Sequence, residues 1–263
     1  MNSKSVVLHK FRQLLEVKYS GTTPVNYLYH VSLFLEYSGN VPQRVNNEDI
    51  LNYNISIRDK SNSYRNVAIN AIRAYFKLYL RKNLKGFASI RPPKEKKKPK
   101  VYDCIEMASK IDEIKNTKHK AILALPLCCW LRKGELLNLK ISDINGSLRQ
   151  IHIKQSKGCK DRIVPVSKKT LDILRDYFKE YRPKEYLFEG QNGGKYSPTS
   201  VDKVTKKYLY PDMRFHAIRA SGATYAVANG TDIKTVSELL GHSKIQTTEH
   251  YIPILYDSVR TAI

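Results

Sequence analysis

Ten residues about a third of the way along the chain, RPPKEKKKPK at positions 91–100, constrain the fold most strongly. Three prolines and a formal charge of +5, from six basic residues and one acidic residue, do not fit a packed core. We therefore expect an extended basic linker here, with one domain before it at residues 1–90 and one after it at residues 101–263. A chain of 263 residues is long enough to form two hydrophobic cores.

Residues 1–90 carry apolar side chains at helical spacing. The strongest pattern covers residues 63–82, where apolar residues recur every three or four positions. Shorter patterns predict helices over residues 5–17, 23–38 and 48–53. Thr23 and Pro24 mark the start of the second of these, and Gly39 lies at its end. The first domain is thus predicted to be a bundle of about four helices.

Residues 101–263 show a mixed pattern. Residues 148–154 alternate apolar and polar side chains, as a half-buried strand does, and residues 163–166 form a second strand after a turn at 156–160. Pro165 suggests that this second strand lies at a sheet edge. Helices are predicted over residues 105–116, 118–130, 134–139, 167–182, 215–228, 231–240 and 243–255. The whole chain should be mainly α-helical with a small antiparallel β-sheet in its second domain.

The charge of the chain points to a polyanionic partner. The formal net charge is +22 and the isoelectric point is near 9.7, so nucleic acid is the first candidate and an anionic membrane surface the second. No apolar run approaches the roughly 18 residues that span a bilayer, and no signal peptide is evident, so we expect a cytoplasmic protein without membrane attachment. The four cysteines lack paired CxxC spacing, which disfavours a zinc site.

Four blocks in the second domain carry polar residues of types that suit phosphodiester chemistry. They are WLRKGELLNLKISDI from position 130, IKQSKGCKDRIVPVS from 153, FHAIRASGAT from 215 and LLGHSKIQTTEHY from 239. Taken singly, each is a weak signal: Arg132 and Glu135 could form a surface ion pair, and His216 and Arg219 could lie on a solvated helix face. Together and in this order, the blocks resemble the tyrosine recombinase or phage-integrase family.

The resemblance implies a fold and an activity. The fold would be a SAM-like core-binding helical bundle followed by an α+β catalytic domain, as in a Xer-like enzyme or a compact mobile-element integrase. The activity would be site-specific cleavage and rejoining of double-stranded DNA through a 3′-phosphotyrosine intermediate. A homotetramer, with a dimer at each site, would act on DNA in the nucleoid. No metal and no nucleotide cofactor are expected, because side chains supply the positive charge and no GxxxxGK[ST] phosphate loop is present.

The resemblance assigns the residues that would bind the phosphate and the residues that would carry out the attack on it. Arg132 and Arg219 match the two arginines, whose planar guanidiniums can hold the non-bridging oxygens as charge develops there in the transition state. Tyr251 matches the nucleophile. Because a free tyrosine has a pKa of about 10, it needs a base nearby, and His216 is the candidate.

The remaining assignments concern proton donation and orientation. Lys157 matches the lysine that would protonate the leaving 5′ oxygen, with Lys160 as a second choice. His242 matches a position held by His or Trp in the family and would donate to a non-bridging oxygen. Glu135 would orient Arg132 or His216 without touching DNA.

Other basic residues are candidates for holding the DNA backbone, and binding of this kind depends strongly on salt. They are two arginines on the polar side of the helix over 63–82, three linker lysines and one lysine of the predicted turn: Arg65, Arg73, Lys96, Lys97, Lys98 and Lys160. Trp130 departs from the family, which often has glycine there, and so does Ala220, where many members have histidine. A type IB topoisomerase-like relaxing enzyme and a non-catalytic architectural DNA-binding protein remain alternative functions.

Overall fold

The computed structural model describes residues 3–39, 44–82, 91–93, 100–154 and 161–241. The chain divides into two compact units, Met1–Lys97 and Lys98–Ile263, and the division falls within the segment predicted as a linker. Within the described ranges, no helix combines the length and apolar character needed to cross a membrane.

The first unit is helical in every described element. Its core is aromatic and aliphatic. The rings of Phe11 on the first helix and Tyr75 on the fourth helix pack edge to face, with their centroids 5.2 Å apart. Side-chain caps begin the third and fourth helices. The Asn46 side chain accepts hydrogen bonds from two backbone N–H groups of the third helix, and the Ser61 side chain accepts one from the fourth. The four helices are α1 Ser3–Lys18, α2 Thr23–Ser38, α3 Asn47–Ser56 and α4 Asn62–Leu78.

The start of α2 and the end of α4 show how local geometry moves a helix boundary away from the prediction. The cap position of α2 is Thr22 and not Thr23, which is the first helical residue. Helix α4 ends at Leu78, four residues before the predicted end, because Arg81 adopts a left-handed backbone conformation with φ of 53°. The N–H of Lys82 then donates to the carbonyl of Phe76, which closes the helix end. An apolar periodicity cannot show such a reversal.

The beginning of the predicted linker packs on α4. Arg91 donates from Nη2 to Oδ1 of Asn70 at 2.7 Å, and the carbonyl of Pro92 accepts from Nδ2 of Asn66. Pro92 is buried as a result. Two amide side chains on one face of α4 provide partners that the linker composition alone does not reveal.

The second unit surrounds a three-stranded antiparallel sheet with helices, which confirms the predicted fold class. The helices are α5 Cys104–Asp112, α6 Thr117–Cys129, α7 Lys133–Asn138, α8 Lys168–Tyr181, α9 Pro198–Tyr208, α10 Phe215–Ala228 and α11 Ile233–Leu240. The strands are β1 Ile144–Asn145, β2 Gln150–Ile153 and β3 Arg162–Pro165, in the order β1-β2-β3. A short 3₁₀ helix, Ile141–Asp143, precedes β1.

The sheet and its neighbouring helices form one core. Ile151 and Val164 face each other across β2 and β3 and are both buried, and Pro165 lies on an edge strand as predicted. Ser167 caps α8 by accepting from the N–H of Thr170, also as predicted. The predictions missed α9 and β1. The predicted helix over residues 243–255 lies outside the described residues.

Candidate active site

Arg132 and Glu135 lie at the start of α7 and hold each other in place. The carboxylate of Glu135 accepts from the backbone N–H of Arg132 at 2.7 Å and from its Nη1 at 2.7 Å. A surface ion pair would leave both groups in water, but the Glu135 side chain is only 9% exposed, against 34% for Arg132. The spacing of three residues therefore forms a buried anchor that orients a half-exposed guanidinium.

Glu135 also binds a second guanidinium, that of Arg162 on β3. Nη1 and Nη2 of Arg162 donate to the two carboxylate oxygens at 2.8 and 2.9 Å. Burial raises the pKa of Glu135, but hydrogen bonds from Arg162 and Arg132, together with their charge, outweigh it and bring the pKa to about 2. The carboxylate is thus ionised throughout the physiological range and compensates buried positive charge.

Arg219 on α10 reaches the same carboxylate from another direction. Its Nη1 lies 3.8 Å from Oε2 of Glu135, and its side chain is fully buried. Nη1 also donates to the carbonyl of Trp130 at 2.6 Å, and Nη2 to that of Leu240 at 2.5 Å. The three guanidiniums and the one carboxylate carry a formal charge of +2, which suits an anionic phosphodiester.

The C-terminal end of α11 faces both candidate catalytic arginines. Nη2 of Arg132 donates to the carbonyl of Gly241 at 3.0 Å, next to the contact between Arg219 and Leu240. The last carbonyls of a helix have no partner within the helix and carry partial negative charge, so cations are stabilised there. Through these contacts the cluster is joined to the segment of chain that leads to His242.

Trp130 positions a backbone carbonyl for Arg219. It ends α6 in the left-handed region, with φ of 50° and ψ of 43°, a conformation that favours glycine. This explains physically why a glycine suits the position. Its ring packs on Gly222 of α10 so closely that a Cβ at Gly222 would lie 2.6 Å from two ring atoms. Gly222 thereby makes room for the tryptophan.

His216 stands one helical turn before Arg219, at the start of α10. Although the side chain keeps solvent exposure, desolvation by its surroundings lowers the pKa of His216, and the positive charges of Arg219 and Arg132 lower it further. The imidazole is therefore neutral at pH 7 and able to accept a proton. It lines a hollow of about 410 Å³ together with Lys133, Asp202, Lys206, Met213, Arg214 and Phe215.

The structure thus brings together Arg132, Glu135 and Arg219, with His216 in the electrostatic field of the two arginines. Seven predicted residues lie outside the described residues: Lys96, Lys97, Lys98, Lys157, Lys160, His242 and the candidate nucleophile Tyr251. Their roles stay predictions.

Sequence reasoning missed Arg162. The available signal was its position two residues before Val164 on a short strand, because alternate residues share a face of the sheet. Val164 is buried, and an arginine on the same face implies a buried partner.

The two arginines predicted to bind DNA in the first unit differ in their surroundings. Arg73 is exposed and borders a basic hollow of about 370 Å³ that Lys18, Lys77 and Lys82 also line. Arg65 is half-buried, and its Nη2 lies 3.5 Å from Oδ1 of Asn54 on α3. Arg73 is thus the more accessible of the two, and the structure gives Arg65 a packing contact within the bundle.

Known proteins resemble the chain over most of its length. The phage integrase family matches residues 99–257. The integrase/recombinase y4qK of Sinorhizobium fredii is 32% identical over 253 residues, covering 92% of this chain and 82% of that protein. Tyrosine recombinase XerA of Pyrococcus horikoshii is 31% identical over 277 residues, covering 98% and 93%.

A solved structure shares the fold. The XerH site-specific recombinase, in a post-cleavage complex with palindromic difH substrate, aligns with a TM-score of 0.75 at 19% identity, covering 91% of this chain and 78% of that one. The matched family covers more than half of the chain, and the relatives span nearly all of it. The chain therefore belongs to the phage integrase family of tyrosine recombinases.

Proposed function

We propose that this tyrosine recombinase cleaves and rejoins duplex DNA at specific sites through a covalent 3′-phosphotyrosine bond to Tyr251. The observation that supports this best is the cluster of Arg132 and Arg219 around the buried Glu135 carboxylate. It concentrates positive charge, at fixed geometry, next to the segment of chain that continues to the candidate nucleophile. A phosphodiester resists attack because it is anionic, so positioning and charge stabilisation supply most of the catalysis.

Cleavage would transfer the phosphate from the DNA to the protein. The Tyr251 oxygen forms a bond to phosphorus while the bond from phosphorus to the 5′ oxygen breaks. His216 accepts the phenolic proton, for which its neutral form is suited. Lys157, or Lys160 in its place, donates a proton to the leaving 5′ oxygen. Rejoining is the reverse reaction with a 5′ hydroxyl from another strand, so it consumes no nucleotide.

The arginines would act on the two non-bridging oxygens during this step. The guanidinium of Arg132 donates to the carbonyl of Gly241, and that of Arg219 donates to the carbonyls of Trp130 and Leu240. His242 follows Gly241 directly in the sequence and would add a third donor to the same oxygens. Glu135 holds Arg132 at its place without contacting DNA.

DNA binding would involve both units. The XerH recombinase structure contains difH substrate, and a λ integrase dimer structure contains a COC′ core site. The charge of +22 on this chain is compatible with a DNA partner. Residues 1–90 would form the core-binding domain, with Arg73 and Arg65 on its DNA side, and Lys96, Lys97 and Lys98 would follow the backbone. We further propose that a homotetramer with a dimer at each site acts on nucleoid DNA in the cytoplasm.

Strand exchange tests this function. The wild-type protein is incubated in EDTA with two labelled duplexes taken from the DNA that flanks its gene, and the products are separated under denaturing conditions. We expect strands joined between the two duplexes, and none with the Tyr251→Phe variant. Relaxation of supercoiled DNA without exchange would indicate a topoisomerase-like enzyme. Binding without any covalent product would indicate an architectural protein.

A further inference from the structure

Arg162 contacts two separate parts of the candidate active site at once. Its Nη1 and Nη2 bind the Glu135 carboxylate as a fork, at 2.8 and 2.9 Å. Its Nε donates to the carbonyl of Leu239 near the end of α11, at 2.7 Å. The side chain is only 9% exposed. The guanidinium therefore links β3, the carboxylate that holds Arg132, and the helix end that leads to His242.

The position of Arg162 in the sheet connects it with a third part of the site. Arg162 pairs with Ile153 across β2 and β3, so it stands at the base of the connection between these strands. This connection carries Lys157 and Lys160 in the sequence. In the sequence, the candidate acid Lys157 therefore belongs to the connection that ends at the strand carrying Arg162.

Gly241 shows how closely the end of α11 fits this arginine. It ends the helix in the left-handed region, with φ of 61°. A Cβ at Gly241 would lie 3.0 Å from Nη1 and 3.2 Å from Cδ of Arg162. A side chain at this position would strain the left-handed backbone and would also force the guanidinium to shift by a few tenths of an ångström, so the end of α11 packs closely against Arg162.

We infer that Arg162 is a positioning residue for cleavage, which fixes the Glu135 carboxylate and the end of α11 relative to each other. The inference rests on the proposed function for the roles of Arg132, His242 and Tyr251. Arg162 does not contact the phosphate in this arrangement, because its terminal nitrogens face a carboxylate and its side chain is buried. It acts through the groups it holds.

Lysine cannot make the same set of contacts. The planar guanidinium offers two parallel donors to a carboxylate and a third donor, Nε, in another direction. A lysine ammonium keeps the positive charge but reaches from a single point, so it cannot hold both Glu135 and the Leu239 carbonyl in the present geometry. The Arg162→Lys variant therefore separates positioning from charge.

The test compares Arg162→Lys with Arg175→Lys. Arg175 pairs with Asp172 on the exposed surface of α8, so it provides the same substitution at an ion pair that is open to water. The rate constant for covalent complex formation is measured on nicked duplex, and the dissociation constant for DNA is measured separately. We expect Arg162→Lys to lower the rate constant by about 10- to 100-fold with a dissociation constant within about twofold of wild type. Arg175→Lys should change neither.

A second measurement distinguishes positioning from a general loss of structure. If Arg162 acts through Glu135, the double variant Arg162→Lys with Glu135→Gln should be no slower than the slower single variant. Gly241→Ala should slow cleavage in the same way with wild-type DNA affinity, and it covers the case in which Arg162→Lys does not fold.

Three results would overturn the inference: a rate constant of Arg162→Lys within twofold of wild type, a loss explained by weaker DNA binding, or losses that multiply in the double variant. A wild-type protein that forms no covalent complex would instead refute the proposed function, so the two failures are distinguishable.

Discussion

Replacing Glu135 by glutamine removes the negative charge that three guanidiniums surround. The side chain keeps its size, but Arg132 and Arg162 lose their ionic partner and Arg219 loses the nearby carboxylate. The loss can be worked out from the pKa of Glu135, which lies at about 2 against an ordinary value of 4.5. A difference of about 2.5 pH units corresponds to about 3 kcal/mol of native-state stability at neutral pH. Breaking a buried ion pair typically costs about 3–5 kcal/mol, in agreement.

The pH dependence of the loss identifies its origin. Because the pKa is depressed in the folded state, the stabilisation is complete above the unfolded value near 4.5 and disappears as the pH falls towards 2. The free energy of unfolding of wild type should therefore exceed that of Glu135→Gln by about 3 kcal/mol at pH 7 and by about 2 kcal/mol at pH 3.5.

Tryptophan fluorescence measures this in the intact chain. Trp130 is the single tryptophan and lies in the second unit, so urea unfolding followed at its emission reports on that unit. Glu238→Gln, on the exposed face of α11, serves as the control and should change stability by less than about 0.5 kcal/mol. A difference below about 1 kcal/mol between Glu135→Gln and wild type at pH 7, or one that does not vary with pH, would refute the reasoning.

Three further predictions concern single features of the structure. Gly222→Ala should destabilise the second unit by about 1–3 kcal/mol in calorimetry, because the new Cβ would clash with the Trp130 ring. The loss should be clearly smaller when Trp130→Gly removes the ring, and equal losses with and without the tryptophan would contradict the packing argument. The rate of covalent complex formation should remain at least half-maximal at pH 6.5, because the pKa of His216 is lowered. His216→Gln should lower this rate about 10²- to 10⁴-fold and abolish the fall in rate at acidic pH. A fall at acidic pH that persists in the variant would exclude His216 as the base. Burial lowers the pKa of His30 in α2, so the stability of the first unit should fall as the pH drops below about 6.5. Hydrogen exchange in α2 measures this fall. If His30→Phe showed the same dependence of stability on pH as wild type, the prediction would be contradicted.

Helices with a strong local signal could be predicted well from the sequence. The helix over residues 215–228 was predicted with the bounds that α10 has, and Ser167 was recognised as the cap of α8. Both features depend on neighbouring residues: an apolar face at helical spacing, and a hydroxyl three residues before the N–H it accepts from. By contrast, α9 has only a few buried positions among its lysines, such as Val201 and Val204, and β1 is two residues long.

The burial within the site could not be predicted, because it depends on partners far away in the sequence. Arg219 is buried because carbonyls of Trp130 and Leu240, from two other segments, accept its hydrogen bonds. Arg162 is held by Glu135, 27 positions earlier, and by Leu239, 77 positions later. The residue types predicted a cationic site with Glu135 beside Arg132, whereas the position of this carboxylate among three guanidiniums, and the third arginine, emerge only from the structure.

The identity of the nucleophile is the most direct test of the proposed chemistry. After reaction with nicked duplex, trypsin should release a peptide of residues 245–260, which contains both Tyr251 and Tyr256. Fragmentation in the mass spectrometer should place a 3′-linked nucleotide on Tyr251, and Tyr256→Phe should leave the adduct intact while Tyr251→Phe removes it. An adduct on Tyr256 or on another residue, or one that survives in Tyr251→Phe, would contradict the proposed mechanism.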